Sequence, residues 1–468
     1  MNLLGAFHRG HRRRGLAAIT GPVLRPADAG YTAEIAGFNP AVARRPGIVV
    51  GARSEDDVVA AVVGAGADGL PVGIKGAGHG FCADPAAPVL LSTRRLDAVV
   101  VDPRARTARV GAGATWGQVL AAAAPHGLTA LVPSSTRVGV AGYTLGGGVG
   151  LLARRYGFAA DHLQRLRLVT ADGRAHEIDG DRAPELFWAL RGAGRNGFGV
   201  VTELEFALFP LVRLYGGGIV WPAAAAADVL HAWREWAPTL PDELGTSVAL
   251  LRVPRDAGWP APLHDQTVVH LRFAGADVEA TTGDALLSPM RALGTPLLDE
   301  VGELSPTATD AVHREPTAPA PVHDGGAALR DLPTTAVDAL LAAADVDVAS
   351  PLTLVELRAL GGALSRAAAV PAAVAGRSAA YALHVRGRAA VPAPADRPGA
   401  VPGATTGVAD AVAAVVDAVG PWSLGGPLPT FAGAGEPVEL WSPRDQARLH
   451  LLRQAVDPGG MFAAPSPA

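Results

Sequence analysis

Apolar and polar positions fall into two textures along this chain. Before about residue 211, short apolar runs alternate with helix signals and glycine-dense stretches. Gly47-Ile48-Val49-Val50 predicts a strand. Ser54, followed by Glu55, Asp56 and Asp57, predicts a helix start through Val58 to Val63. A serine oxygen there caps first-turn N–H groups, and acids oppose the positive end of the helix dipole. The run Leu70 to Ile74 completes one βαβ unit. Val89 to Ser92, Ala98 to Asp102 and Thr107 to Gly111 follow at the close spacing of a second, mostly antiparallel sheet. Thr115 caps a helix from Trp116 to His126 that Gly127 ends. Leu151 to Tyr156 predicts a helix, Leu166 to Thr170 a strand, Asp181 to Leu190 a helix and Val200 to Phe206 a strand.

After residue 211, longer strands alternate with helices. The strands are Gly217 to Trp221, Ser247 to Val253, Thr267 to Phe273, Leu352 to Ala359 and Ala380 to Arg386. The helices are Ala224 to Trp236, Asp277 to Leu293, Ala336 to Ala344 and Gly407 to Val419. This predicts an α+β unit on an antiparallel sheet. Ser305 to Pro333 reads as a Pro-rich loop and Val391 to Gly403 as a linker, and the last helix is Pro443 to Ala455. Side chains two apart on a strand share a face. His270 and Arg272, Glu356 and Arg358, and His384 and Arg386 therefore oppose Val269 and Leu271, Val355 and Leu357, and Leu383 and Val385. The apolar face is expected to pack on helices. Pattern alone makes the polar face a solvated one.

The chain has 468 residues, enough for more than one domain, and a net charge of −4, which gives no global signal for nucleic acid. Its one cysteine, Cys82, excludes an internal disulfide and a cysteine-based metal cluster, and reads as a small buried residue. No apolar run is long enough to span a membrane. The basic stretch His8 to Arg14 precedes an apolar segment too short for a signal peptide and reads as a frayed tail. A cytoplasmic location is expected.

Candidate chemistry concentrates in three glycine-dense stretches. The first, Gly73-Ile74-Lys75-Gly76-Ala77-Gly78-His79-Gly80, follows a strand and holds the only lysine of the chain. Backbone this free can turn its N–H groups onto a phosphate, with His79 beside the ligand; the alternative is a tight turn with an incidental histidine. The second, Val132 to Gly150, carries too many glycines for a stable helix or packed strand and reads as a loop lying against something. In the third, Gly192, Gly194 and Gly197 match G-x-G-x-x-G. A helix precedes and a strand follows, the reverse of a dinucleotide site, so that assignment is rejected.

In this order and spacing, the three stretches resemble the flavin-linked oxidases of the vanillyl-alcohol-oxidase fold, and more narrowly the berberine-bridge-enzyme-like branch with its bacterial relatives. The likeness covers residues 35–212 and returns at 441–462. It implies a lead-in (1–34), a PCMH-type FAD-binding domain of two α/β subdomains (35–212), an antiparallel-sheet substrate domain covered by helices (213–440), and a closing helix returning to the first domain (441–468). It implies FAD held at Lys75, Gly76, Ala77, Gly78, His79 and Gly80, covalently through His79. Ser135, Thr136, Val138, Gly139, Gly142, Tyr143, Gly146 and Gly150 would line the flavin ring, and the backbone at Val200 and Val201 the adenine. Ser135 stands where doubly attached members carry cysteine, which leaves a single bond. Tyr143 replaces a histidine and would reach the ring's pyrimidine end. Leu428-Pro429-Thr430-Phe431 stands where relatives carry a catalytic tyrosine.

Under the resemblance the polar sheet face becomes a roof over the ring. Glu356 is then the expected substrate anchor or base, raised toward the working pH by loss of water, with Arg358 holding it and His384 as the competing base. The implied activity is that of an FAD-dependent oxidoreductase, an oxidase that takes a hydride from an alcohol or amine and reduces dioxygen. Its partners would be a small-molecule substrate and dioxygen, with no metal, nucleic acid or membrane. Alternatives are a dehydrogenase with another acceptor and a flavin-binding protein without turnover.

Overall fold

The computed structural model describes residues 18–42, 44–80, 87–195, 197–256, 258–344, 350–389, 406–432 and 441–462. Cys82, the basic stretch before residue 18 and the linker Val391 to Gly403 lie outside them. The chain is α+β, as expected, and its main elements fall in three sheets.

The first sheet holds β1 (Val23–Leu24), β2 (Ile48–Gly51), β3 (Val72–Lys75) and β4 (Val89–Ser92), in the order β1-β2-β4-β3. β2 and β3 flank the helix Glu55–Ala67, whose Ser54 cap accepts from the Asp57 N–H. The sequence expectation put β4 in the next sheet. Instead it lies between β2 and β3, parallel to both. All four of its residues are buried, which suits the centre of a covered parallel sheet. Residues 18–22, within the expected lead-in, are pinned: Asp57 accepts from the Thr20 N–H at 2.7 Å and the Gly21 N–H at 3.1 Å.

The second sheet contains β5 (Val99–Asp102), β6 (Thr107–Gly111), β8 (Leu163–Val169), β9 (Ala175–Asp179) and β10 (Val200–Ala207). Its order, β5-β6-β10-β8-β9, is antiparallel throughout. Two-residue strands β7 (Leu128–Thr129) and β11 (Phe209–Pro210) pair beside it. Its core includes Trp116, Leu166, Leu190 and Leu204.

The third sheet has eight antiparallel strands: β12 (Leu214–Pro222), β13 (Leu244–Arg252), β14 (Thr267–Ala276), β15 (Leu298–Asp299), β16 (Gly302–Leu304), β17 (Val322–Leu329), β18 (Leu352–Ala359) and β19 (Tyr381–Arg388). The order is β15-β12-β14-β13-β18-β19-β17, with β16 also on β12. As expected, its apolar face packs on the helices Ala226–Trp236, Ala280–Arg291, Thr334–Ala343 and Thr406–Ala418, which bury Trp233, Leu287, Val337 and Val415 among Leu271, Leu357 and Leu383. β17 corrects the Pro-rich loop expected at Ser305 to Pro333. Full pairing with β19 overrides its weak strand composition.

The last helix, Pro443–Val456, lies on the helix Pro184–Ala193: Arg448 pairs with Glu185 and stacks over Trp188 at 3.7 Å. Phe462 then enters the core of the first sheet. No described helix is long and apolar enough to cross a membrane.

Candidate active site

A cavity of about 250 Å3 is lined by all three glycine stretches on one side and by the third sheet on the other. Gly76, Ala77, Gly78, His79 and Gly80 enter it from the end of β3. Lys75, expected at its mouth, does not line it. The side chain is buried and its ammonium donates to the Glu34 carbonyl at 2.9 Å. Burial pulls its pKa down to about 8.

The second stretch is not wholly a loop, as its glycines predicted. Val140–Leu145 is a short helix, held by burial of Val140, Tyr143 and Leu145 against Trp116 and its neighbours. Tertiary packing here outweighs glycine's poor helix propensity. Ser135, Val138, Gly139, Gly142 and Tyr143 line the cavity, and a Cβ on Gly142 would meet nothing within 4 Å. Thr136, Gly146 and Gly150 are not among the lining residues. Thr136 donates through its N–H and hydroxyl to Asp310, at 2.7 and 2.6 Å. Gly150 is a glycine because a Cβ there would stand 1.9 Å from the Val132 carbonyl oxygen. From the third stretch, Val201 lines the cavity and Val200 turns into the first sheet's core.

His79 stacks on Phe38 with centroids 4.5 Å apart, and the Phe38 N–H donates to the Gly78 carbonyl at 2.8 Å. Burial, with Arg137 and Arg386 nearby, lowers its pKa to about 4. Its Nδ1 is buried without a hydrogen-bond partner among the described residues, and so is the Tyr143 hydroxyl. Burial raises the Tyr143 pKa, so the phenol stays protonated.

The sheet register builds the opposite wall. His270, Ala249, Glu356, His384 and Gly326 form one cross-strand row, and Arg272, Ser247 and Arg358 lie in the adjacent row on the same face. This face is covered, not solvated as pattern alone implied. Glu356 is 1% exposed and Arg272 2%. Glu356 Oε1 lies 2.9 Å from Arg272 and 3.1 Å from Arg358. Burial would raise its pKa, but Arg358 and Arg272 outweigh burial and hold it well below the usual carboxylate range. The expected rise toward the working pH is therefore not met. Glu356 is a fixed negative charge and a poor proton acceptor.

His384 Nε2 lies 3.0 Å from Asp324 Oδ1, and Arg386 Nε donates to the same oxygen at 2.7 Å. Burial would raise the Asp324 pKa, yet Arg386 and His384 hold it far below the usual range. His384 also stacks on Phe431. Thr430, its neighbour, accepts from the Gly148 N–H and donates to the Gly146 carbonyl, at 3.1 and 3.2 Å. Sequence reasoning did not single out Phe38, Asp324 or Arg195, all of which line the cavity. Arg195 lines the cavity beside Gly80 and Gly146 and donates to the Pro429 carbonyl at 2.9 Å. It stood in plain view within the third glycine stretch.

Buried His313 gives this site an acid limit. Burial first, then Arg272 and Arg358, lower its pKa to about 4, against ~6.5 in the unfolded chain. Between those values the unfolded state binds the extra proton, so stability is full above about pH 6.5 and falls with pH by up to about 3 kcal/mol. Denaturant midpoints at about pH 7 and about pH 5 should show this loss, reduced in His313→Gln. Equal midpoints in the wild type would contradict it.

These residues suit a flat, diphosphate-bearing ligand. Closely approachable backbone lines the cavity, with one buried ring nitrogen and one phenol in its wall unpartnered among the described residues. Residues 46–179 match the FAD binding domain family. Fold and domain are those of the FAD-linked oxidoreductases, in the architecture shared with berberine-bridge-enzyme-like proteins.

Among its relatives is (R)-6-hydroxynicotine oxidase of Paenarthrobacter nicotinovorans, 33% identical over 237 residues, 50% of this chain and 48% of that protein. The solved 6-hydroxy-D-nicotine oxidase of Arthrobacter nicotinovorans superposes with a TM-score of 0.78 at 25% identity, over 95% of this chain and 96% of that one. BBE-like 1 of Physcomitrella patens shares the fold, with a TM-score of 0.82 at 18% identity, over 97% and 98% of the two chains. The sequence matches span about half the length of the curated relatives, 48% and 53% in two of them.

Proposed function

We propose that this protein is an FAD-dependent oxidase that takes a hydride from a carbon bearing an alcohol or amine and gives hydrogen peroxide from dioxygen. One observation carries the proposal: a single cavity holds the glycine cradle on one wall and a histidine–aspartate pair on the other. FAD, when bound, accepts the hydride and returns both electrons to dioxygen. Gly76 to Gly80 and Arg195 would hold its diphosphate, His79 would bond to it covalently, and Tyr143 would donate to its ring.

The chain's own part is to orient the substrate and take one proton. An ionised Asp324 fixes the hydrogen on His384 Nε2, which leaves Nδ1 as the acceptor for the alcohol or amine proton. Glu356, negative at all working pH, anchors a hydroxyl or cationic amine beside Arg358, and Phe431 offers a flat face. The oxidase names of two relatives support the choice of dioxygen as acceptor. Screening alcohols and amines for flavin bleaching under anaerobic conditions, then for peroxide in air, tests the activity. A library that bleaches nothing would count against it.

Val138 lines the same cavity. Its short, χ1-stiff side chain leaves an apolar gap for dioxygen. Val138→Leu should slow reoxidation on the order of tenfold, a barrier change of about 1.4 kcal/mol, and reduction less. Equal reoxidation rates by stopped flow would refute this role.

A further inference from the structure

A second cavity, of about 20 Å3, lies where residues 149–154 meet the third sheet. Its lining includes Arg154, Ser247, Arg272, His313 and Arg358, and among the described residues no carboxylate. The register explains the composition, since Ser247 is the cross-strand partner of both Arg272 and Arg358. Ser247, Arg272 and His313 are each less than 5% exposed. Ser247 Oγ, Arg272 Nη1 and His313 Nδ1 have no hydrogen-bond partner among the described residues. Arg272 Nη1 is close to Glu356 but outside hydrogen-bond geometry.

All three atoms can donate, Ser247 Oγ being an acceptor as well. Arg358 Nη2 stands 3.1 Å from His313 Nε2, and a guanidinium cannot accept, so Nε2 is the acceptor and Nδ1 carries the ring hydrogen. Glu356 lies 3.6 Å from that Nε2, beyond hydrogen-bond reach. The charges are unbalanced in the same sense. Arg272 and Arg358 share one buried carboxylate, Glu356, which leaves an excess positive charge in a place where unpaired charge costs several kcal/mol. A water could accept from Arg272 and His313 and donate to Ser247 Oγ, but it would bring no charge to offset the second guanidinium. The volume exceeds the roughly 10–15 Å3 that one water needs and suits a single atom, not phosphate or a carboxylic acid.

We propose that Arg272, Ser247 and His313 form a buried site for one small monovalent anion of the halide class. It neutralises the arginine pair behind Glu356 and thereby fixes that wall of the main cavity.

Bromide is the probe. Crystals of the holoprotein grown in sodium bromide should show an anomalous peak within hydrogen-bond distance of Ser247 Oγ, Arg272 Nη1 and His313 Nδ1. In solution, bromide should raise the Tm over sodium gluconate at equal ionic strength by about 2 °C or more at saturation. The gain should shrink in Ser247→Ala and vanish in Ser247→Val, which fills the space. No anomalous peak there, or a peak with equal Tm in the two salts (an adventitious ion only), would overturn the site. A bromide gain equal in wild type and Ser247→Val would do the same.

Discussion

Acid precipitation of the wild-type protein is expected to carry its flavin into the pellet, and His79→Ala should leave all of it in the supernatant. The proposed attachment rests on how the imidazole is held. It lies flat on Phe38, its Nδ1 has no partner among the described residues, and its pKa near 4 keeps a lone pair available at neutral pH. A neutral ring nitrogen could bond to the flavin methyl carbon, the methyl losing a proton and the ring taking up the two electrons until dioxygen reoxidises it, whereas a protonated nitrogen has no lone pair to give. Ser135 lines the same cavity but offers no thiolate, so no second bond remains when His79 is lost. Flavin released entirely from the wild type by acid would refute the attachment and leave noncovalent binding. Flavin retained in the His79→Ala pellet would move the bond to another residue.

His384→Ala is expected to slow flavin reduction by a found substrate on the order of 10²- to 10⁴-fold, the usual worth of a positioned base. Asp324→Asn should cost a large part of that factor, because an amide no longer fixes the histidine tautomer. Glu356→Gln should behave differently. Since Glu356 is held ionised by Arg272 and Arg358, its loss should raise KM far more than it lowers the limiting rate. Anaerobic stopped flow at several substrate concentrations separates the two. Unchanged limiting rates in both His384→Ala and Asp324→Asn would move the base elsewhere.

Much of this site was legible in the chain. Alternation placed Glu356, Arg358 and His384 on one sheet face, and that face lines the cavity. The first glycine stretch put His79 beside it. What escaped depended on long-range packing. Asp324 sits in a strand whose own residues, Gly325 and Gly326, are weak strand formers. It is built by pairing with β19, where a Cβ on Gly326 would meet the Leu383 carbonyl oxygen at 2.3 Å. The helix at Val140–Leu145 exists because its apolar side is buried, which local propensity does not reveal. The low pKa of Glu356 arises from Arg358, two residues along its own strand, and also from Arg272, 84 residues away in sequence and two strands across the sheet. Lys75 misled through rarity alone: its place at the end of β3 points it to Glu34.

The claim that this chain is an oxidase can be tested without knowing its substrate. The purified holoprotein, reduced chemically under anaerobic conditions, is mixed with air-saturated buffer and followed by stopped flow. The oxidised flavin spectrum should return faster than that of free FAD treated alike, with one hydrogen peroxide formed per flavin. A flavin that stays reduced in air, or reoxidises more slowly than free FAD, would contradict the account.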